Sequence, residues 1–227
     1  MSPSTDPRRP LVVSRSMRKR QAILHAGRQL FLQKGYAGTS MDDVAAAADV
    51  SKVTIYKHFS DKQTLFAAVI TDAIDGAKAA SLTLVDQLGA STDIERDLRD
   101  FARRHVALVT QPHLVQMRRM IVAEAHRFPD LARTWHRSGP QRGHLTLAGQ
   151  IDRLVDRGVL DAPDPLVAAQ MLNYLILSVP LNEAMFTSRT RPFSPRYLNR
   201  YADEGVRVFL AAYGKRPGTT ASDRRSP

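Results

Sequence analysis

The sequence predicts an all-α fold in two parts: a small N-terminal domain centred on two short helices, and a larger helical C-terminal domain. Three observations predict it. Apolar residues recur three and four apart through most of the 227 residues, which places them on one face of a 3.6-residue helix. No stretch alternates apolar and polar residues with the two-residue period of a strand, and no repeat of fixed length appears. Helix-opening Ser, Thr and Asp and helix-closing Gly and Pro punctuate the chain at short intervals. Hydrophobic residues make up 43%, so a buried core is expected rather than a disordered chain.

Residues 1–16, MSPSTDPRRPLVVSRS, are rich in Pro, Ser and Arg, show no period and read as a flexible basic arm. A helix is expected from about Met17, with Ala22, Ile23, Ala26, Leu30 and Phe31 as its apolar stripe and Lys34–Gly35 as its stop. Three helix starts follow. Ser40 with Asp43 has the spacing of a capping box, and Thr39 with Asp42 repeats it one residue earlier. Ser51 can open a second helix, and Ser60 with Gln63 a third. The first of these helices, MDDVAAAA, turns Val44, Ala45 and Ala48 inward, where alanine lets another helix cross closely. Asp49 falls where the chain must turn, and Asp tolerates a left-handed backbone better than most non-glycine residues.

From Asp61 a longer helix carries Leu65, Phe66, Val69 and Ile70 and connects to the second domain, expected over residues 80–214. There Ile94, Leu98, Phe101, His105 and Leu108 form one stripe, and Leu114, Met117 and Ile121 another. A third, Leu147, Ile151, Leu154 and Val155, is stopped with the help of Gly158. Pro163 and Pro165 introduce LVAAQMLNYLILSV, residues 166–179, which is apolar nearly all round and must be covered on more than one side. Pro180 should kink or end it. A last helix is expected from Pro195 to Tyr213, with Gly214 as its stop and residues 215–227 as a flexible basic tail.

Composition narrows the function classes. Without cysteine there is no disulfide framework and no thiolate metal site. No uninterrupted apolar run approaches the ~18 residues of a membrane span, and the first sixteen residues hold too short an apolar run for a signal-peptide core. A soluble cytoplasmic protein is expected. No Gly-rich phosphate loop, zinc motif or GxSxG elbow appears, and the seven histidines form no HxxxH or HExxH pair. No cofactor, metal site or catalytic residue is therefore expected. The formal net charge is +11 and is uneven: residues 1–62 carry eleven Lys or Arg against five Asp, and residues 63–214 eighteen basic against sixteen acidic. A local basic excess is the footprint of a phosphate-rich partner, although a solvated surface has the same composition.

VSKVTIYKHFSDK, residues 50–62, sharpens this. Only Ile55 and Phe59, at i and i+4, suit a core. The rest of the surface is Ser51, Lys52, Val53, Thr54, Tyr56, Lys57 and His58. Two short helices joined by ADVS have the spacing of a helix-turn-helix, whose second helix lies in the major groove. Lys52 and Lys57 can meet phosphates or guanine edges, the hydroxyls and imidazole can bond phosphate oxygens, and Val53 can touch a thymine methyl. Lys62, at the start of the next helix, can approach a phosphate. Asp42 and Asp43 suit a helix N-terminus rather than DNA. Arg8, Arg9, Arg15, Arg18, Lys19 and Arg20 could form a minor-groove arm or a solvated tail.

Residues 20–70 resemble the DNA-binding domain of the TetR family of bacterial transcriptional regulators, through LF..KGY..TS..DVA, VSK.T.Y.HF and the following K..LF. The resemblance implies all-helical homodimers that read a double-stranded DNA operator through the N-terminal domain. It also implies a C-terminal domain that dimerises and usually takes a small molecule. The family's DNA contacts fall on Thr39, Ser40, Ser51, Lys52, Val53, Thr54, Tyr56, Lys57, His58 and Lys62. Two positions depart from the family pattern: Asp49 where glycine is usual in the turn, and Val53 where a smaller residue is common. Residues 122–142 resemble the C-terminal domain of an AefR-like subset.

The expected function is a repressor released from its operator by an effector. The alternatives are a structural DNA-binding protein of the nucleoid and an enzyme without a recognisable motif. Phe101, His105, Met117, Ile121 and Tyr174 are the candidate effector contacts, each also readable as core; Met120, Trp135 and Met171 carry the same ambiguity. Leu147, Ile151, Leu154, Val155, Leu172, Leu175, Ile176 and Val179 are the candidate dimer contacts.

Overall fold

Helix boundaries follow the cap chemistry closely. The computed structural model describes residues 15–85, 88–187 and 191–215, with side chains throughout except in 76–84. In order, the helices are α1 (Arg15–Lys34), α2 (Met41–Ala47), α3 (Lys52–His58), α4 (Lys62–Val85), α5 (Ile94–Val109), α6 (Pro112–Ala123), α7 (Pro129–His136), α8 (Arg142–Asp156), α9 (Pro165–Phe186) and α10 (Pro195–Tyr213). A 3-10 turn occupies Leu88–Ala90 and a π turn Arg137–Gln141. No strand occurs among the described residues; Leu160 and Gly214 form an isolated antiparallel bridge. The basic arm with Arg8 and Arg9 and the tail from residue 216 lie outside the described residues.

Several ends are set by single residues. Ser40 caps α2 with a reciprocal box: its hydroxyl accepts from Asp43 N at 3.0 Å, and Asp43 Oδ2 accepts from Ser40 N at 3.1 Å. The alternative box, Thr39 with Asp42, is not used, because Thr39 is buried and its hydroxyl donates to Gly35 O at 2.9 Å. The box expected at Ser60 and Gln63 moves one residue on: Asp61 Oδ1 accepts from Thr64 N at 2.7 Å, and Ser60 donates to the other carboxylate oxygen. A charged acceptor beside a helix N-terminus outcompetes a hydroxyl. Helix α1 already includes Arg15, ahead of the start expected near Met17, so Arg15 and the cations after it belong to a helix and not to an arm. Gly35 and Gly158 both stop helices at φ +71°, as expected of glycine there.

The chain divides into two compact units between Asp72 and Ala73, inside α4; the boundary expected after residue 79 falls in the same helix. The first unit is cored by Ile23, Leu24 and Phe31 of α1, Val44 of α2, Ile55 of α3, and Leu65, Phe66 and Ile70 of α4, all essentially buried. Each contributes about 1.5–3 kcal/mol by leaving water. The Phe31 and Tyr36 rings meet Phe66 edge-on at 5.1 and 4.9 Å.

In the second unit α9 packs between α8 and α10, and α10 also packs on α5. Leu98, Ala102 and Val106, Ile151 and Leu154, Ala168, Leu172 and Ile176, and Ala202, Val206 and Phe209 share its core. Gly205 lets α10 approach α9: a Cβ there would lie 2.6 Å from Ile176 Cγ2 and 3.2 Å from its backbone nitrogen. Of the two outcomes expected at Pro180, a kink or an end, the end is not found: α9 runs on to Phe186. Buried packing of the flanking turns over-rides the lost backbone hydrogen bond. By length and composition alone α9 is long and apolar enough to cross a membrane. Its inner face, however, is the centre of the helical core.

Candidate nucleic-acid interface and ligand cavity

The turn between α2 and α3 is built around Asp49, the one described non-glycine residue with positive φ (52°). Asx side chains tolerate this region, so the turn keeps its path without glycine. Ser51 then caps α3, accepting from Thr54 N at 3.2 Å, and its hydroxyl also bonds Thr54 Oγ1 at 2.9 Å. Ile55 and Phe59 are buried. Their burial orients the helix, so Ser51, Lys52, Val53, Tyr56 and Lys57 are exposed and Thr54 and His58 half-buried. Val53 is 80% exposed, a position for an apolar side chain that the chain's own packing does not explain. Lys52 Nζ lies 2.9 Å from Asp42 Oδ2, a contact that holds the ammonium charged and raises its pKa. Both groups are exposed, so the pair is weakly held and its lysine can exchange partners. Asp43 is held below its ordinary pKa by the Ser40 backbone and hydroxyl, then by Lys34, as expected of a capping carboxylate.

Two expected DNA contacts are placed otherwise. Thr39 is 2% exposed and bonded to Gly35 O, so its hydroxyl is spent on the turn. Lys62 Nζ donates to Tyr36 O at 2.8 Å and Thr39 O at 2.7 Å, and sits 4.5 Å from the centre of the Tyr36 ring. It clamps the α1–α2 connection. Spacing alone could not reveal this, because the accepting carbonyls lie more than twenty residues away. Ser40 stays exposed while it caps α2. Arg15, Arg18 and Lys19 line a shallow hollow with Asp49 and Val50 of the turn. Arg20 lies over the Phe59 ring at 5.4 Å.

A second site lies inside the C-terminal unit: a cavity of about 350 Å³ between α5, α6, α8 and α9, roofed by the π turn. Of the expected contacts, Phe101, His105 and Tyr174 line it, and so does Trp135. Met117 and Ile121 do not: they are buried on the apolar face of α6, and Leu114 and Arg118 on its flank face the cavity instead. Apolar stripes identify core, and a cavity wall lies beside the stripe. His105 Nε2 donates to Asn173 Oδ1 at 3.1 Å, its ring stacks on Phe101 at 5.3 Å, and burial pushes its pKa down. His144, also in the wall, is lowered by burial and then by His136.

The expected dimer contacts separate in the same way. Leu147, Ile151, Leu154, Leu172 and Ile176 are buried within their own unit, so they cannot meet a second copy; Leu147 also lines the cavity. Val155 is half-buried against the same core. Leu175 and Val179 remain on the outer face of α9, which also exposes Val167 and Met171. These recur at helical spacing along one stripe.

The N-terminal unit matches the family described as bacterial regulatory proteins, tetR family, over residues 23–69, and residues 96–215 match the AefR-like transcriptional repressor C-terminal domain. The chain belongs to the TetR family of transcriptional regulators. A TetR-family regulator from Mesorhizobium loti is 39% identical, with a TM-score of 0.83, covering 89% of this chain and all of that one. The flavonoid-responsive regulator FrrA is 32% identical, with a TM-score of 0.71, over 88% of this chain and 98% of that one. The DNA-binding transcriptional repressor TetR of Mycobacteroides abscessus is 29% identical over 220 residues, 91% of this chain and 99% of that protein. Other curated relatives match over a shorter span: the chain covers 34% of the length of the repressor DhaR of a Mycobacterium and 50% of AcnR of Corynebacterium diphtheriae. TetR-family regulators are soluble DNA-binding proteins that act as dimers, with effector binding in the C-terminal domain. The family consists of regulators, not enzymes.

Proposed function

We propose that two copies of this chain bind a double-stranded operator through α3 and repress transcription until a small molecule enters the C-terminal cavity. The observation that carries the DNA contact is α3 itself: Ile55 and Phe59 are buried while Lys52, Val53, Tyr56 and Lys57 are exposed together. Side by side on one face, the two lysines can meet phosphates or guanine edges and the valine a thymine methyl. Ser40, Ser51, Thr54 and His58 supply backbone contacts beside them. The second copy docks on the outer stripe of α9, Val167, Met171, Leu175 and Val179, which is apolar and exposed in the single chain. The effector reading rests on the cavity, and the flavonoid response of FrrA supports an amphipathic, ring-containing molecule. The effector lowers operator affinity only by its preference for the unbound conformation, and operator lowers effector affinity by the same factor.

Selection of bound sequences from random DNA provides the operator. Tyr56→Ala with Lys57→Ala should then weaken gel-shift affinity at least ~10-fold, one base contact being worth about 1–3 kcal/mol, with an unchanged circular dichroism spectrum. Affinity should also fall steeply with salt, by ~0.9 in log–log slope per phosphate neutralised. A folded double variant with wild-type affinity refutes the assignment of α3.

A further inference from the structure

Most arginines in the C-terminal unit are satisfied by the chain itself. Arg96, Arg99, Arg103, Arg133 and Arg207 each pair with a carboxylate. Arg119 donates to Met185 O at 2.9 Å and also to the carbonyls of Ala184 and Thr187, closing the C-terminal end of α9. Arg118, one residue earlier, is different. It is half-buried, lines the cavity, and has no hydrogen bond or ion pair among the described residues. Burial pushes its pKa below the usual arginine value, the mark of a guanidinium removed from water without a counter-charge. Guanidinium stays protonated in proteins, so the charge persists and an opposite charge is the remedy.

No Asp or Glu is among the described residues lining the cavity. Its other titratable members are His105, His144, Tyr174 and Arg142. His105 is engaged by Asn173 and kept neutral by burial, and Arg142 is exposed at the rim. Leu108, Leu114, Trp135, Leu177 and Leu181 make the rest of the wall largely apolar. At about 350 Å³ the space lies near the small end of the ~300–1,000 Å³ range of ligand sites. The grip of Arg119 on α9 fixes this turn of α6, so Arg118 is presented by a restrained backbone.

We propose that the cavity selects a small organic monocarboxylate, with Arg118 as its bidentate counter-ion and the apolar wall holding its body; this rests on reading the cavity as the effector site. The fork geometry of guanidinium matches a carboxylate in a way that lysine does not. An aromatic acid and a medium-chain acyl acid share this chemistry, and the two arms of the test distinguish them.

Calorimetric titration of the full chain with 2-naphthoate, 2-naphthamide, decanoate and decanamide provides the test. At least one acid should bind the wild-type protein ~10-fold or more tightly than its own amide. Arg118→Met should reduce that preference to within ~2-fold while amide binding persists. Arg118→Gln gives the same comparison should the Met variant fail to fold. Equal binding of acid and amide, a preference that survives both substitutions, or failure of both acids to bind overturns the proposal. Gel shifts with the same compounds separate this from the effector reading. If acid and amide release DNA equally, the effector site stands and the carboxylate assignment falls. If an acid binds through Arg118 and leaves DNA affinity unchanged, the carboxylate site stands and the effector reading falls.

Discussion

Helix α3 has seven residues and buries Ile55; α9 has twenty-two, buries seven, and leaves Met171 51% and Val179 49% exposed. Both present a solvent-facing stripe, and the stripes differ in chemistry. On α3 it is two lysines, hydroxyls, a tyrosine and a valine, a surface stable in water that also suits a polyanion. On α9 it is valine, methionine and leucine, which water does not favour. Exposure alone therefore says little about a partner. Charged and hydroxylic exposure points to nucleic acid, and apolar exposure at helical spacing points to protein.

The largest effect should come from charging the α9 stripe. Leu175→Glu with Val179→Glu would bury two unpaired carboxylates in the proposed dimer, at a cost of several kcal/mol. Light scattering should show monomers, with helical content retained because both side chains point away from the protomer core. The same charge at Ile176, fully buried in the protomer, should instead unfold the unit. A soluble, stable dimer from the Leu175/Val179 variant would place the interface elsewhere. An intermediate effect is expected at Gly205, where α9 and α10 meet: Gly205→Ala forces a methyl against Ile176 and should cost about 1–3 kcal/mol of stability, read as a lower denaturation midpoint. Nothing comparable is expected on the exposed face of α3, where Val53→Ala should leave stability within about 0.5 kcal/mol.

A more gradual effect concerns pH. His105 and His144 are held below the ordinary value of 6.5, chiefly by burial. The unfolded chain therefore takes up protons near pH 6.5 that the folded chain refuses. The stability due to their neutral forms is complete above that pH and is lost as pH falls below it, by at most about 1.4 kcal/mol per pH unit for each group. Melting temperature should decline between pH 7.5 and 5.5, and the decline should flatten in His105→Gln/His144→Gln. A flat wild-type profile would show that neither ring is held neutral.

Legibility in the sequence followed the range of the interactions. The α3 assignment needed only neighbours: Ser51 as cap, Ile55 and Phe59 as anchors, and the residues between them facing out. The left-handed turn at Asp49 and the glycine stops were equally local. The intramolecular roles of Lys62 and Thr39 are not legible in the sequence, because their partners, the carbonyls of Tyr36 and Gly35, come within reach only once the connection has folded. The place of Met117 and Ile121 away from the cavity is not legible either, because an apolar stripe marks what a helix buries, not which buried wall has space beside it.

By itself the sequence determined the all-helical class, the helix-turn-helix and its outward residues, and the apolar character of α9. These are properties of periodicity, caps and side-chain chemistry within a few turns of chain. Only the tertiary structure decided which side of α9 is covered by α8 and α10 and which is left exposed, because a helix apolar all round carries no preferred face. It also decided that Arg118 faces a cavity without a carboxylate while Arg119 closes α9, because adjacent residues on a helix point about 100° apart and their surroundings come from segments distant in sequence.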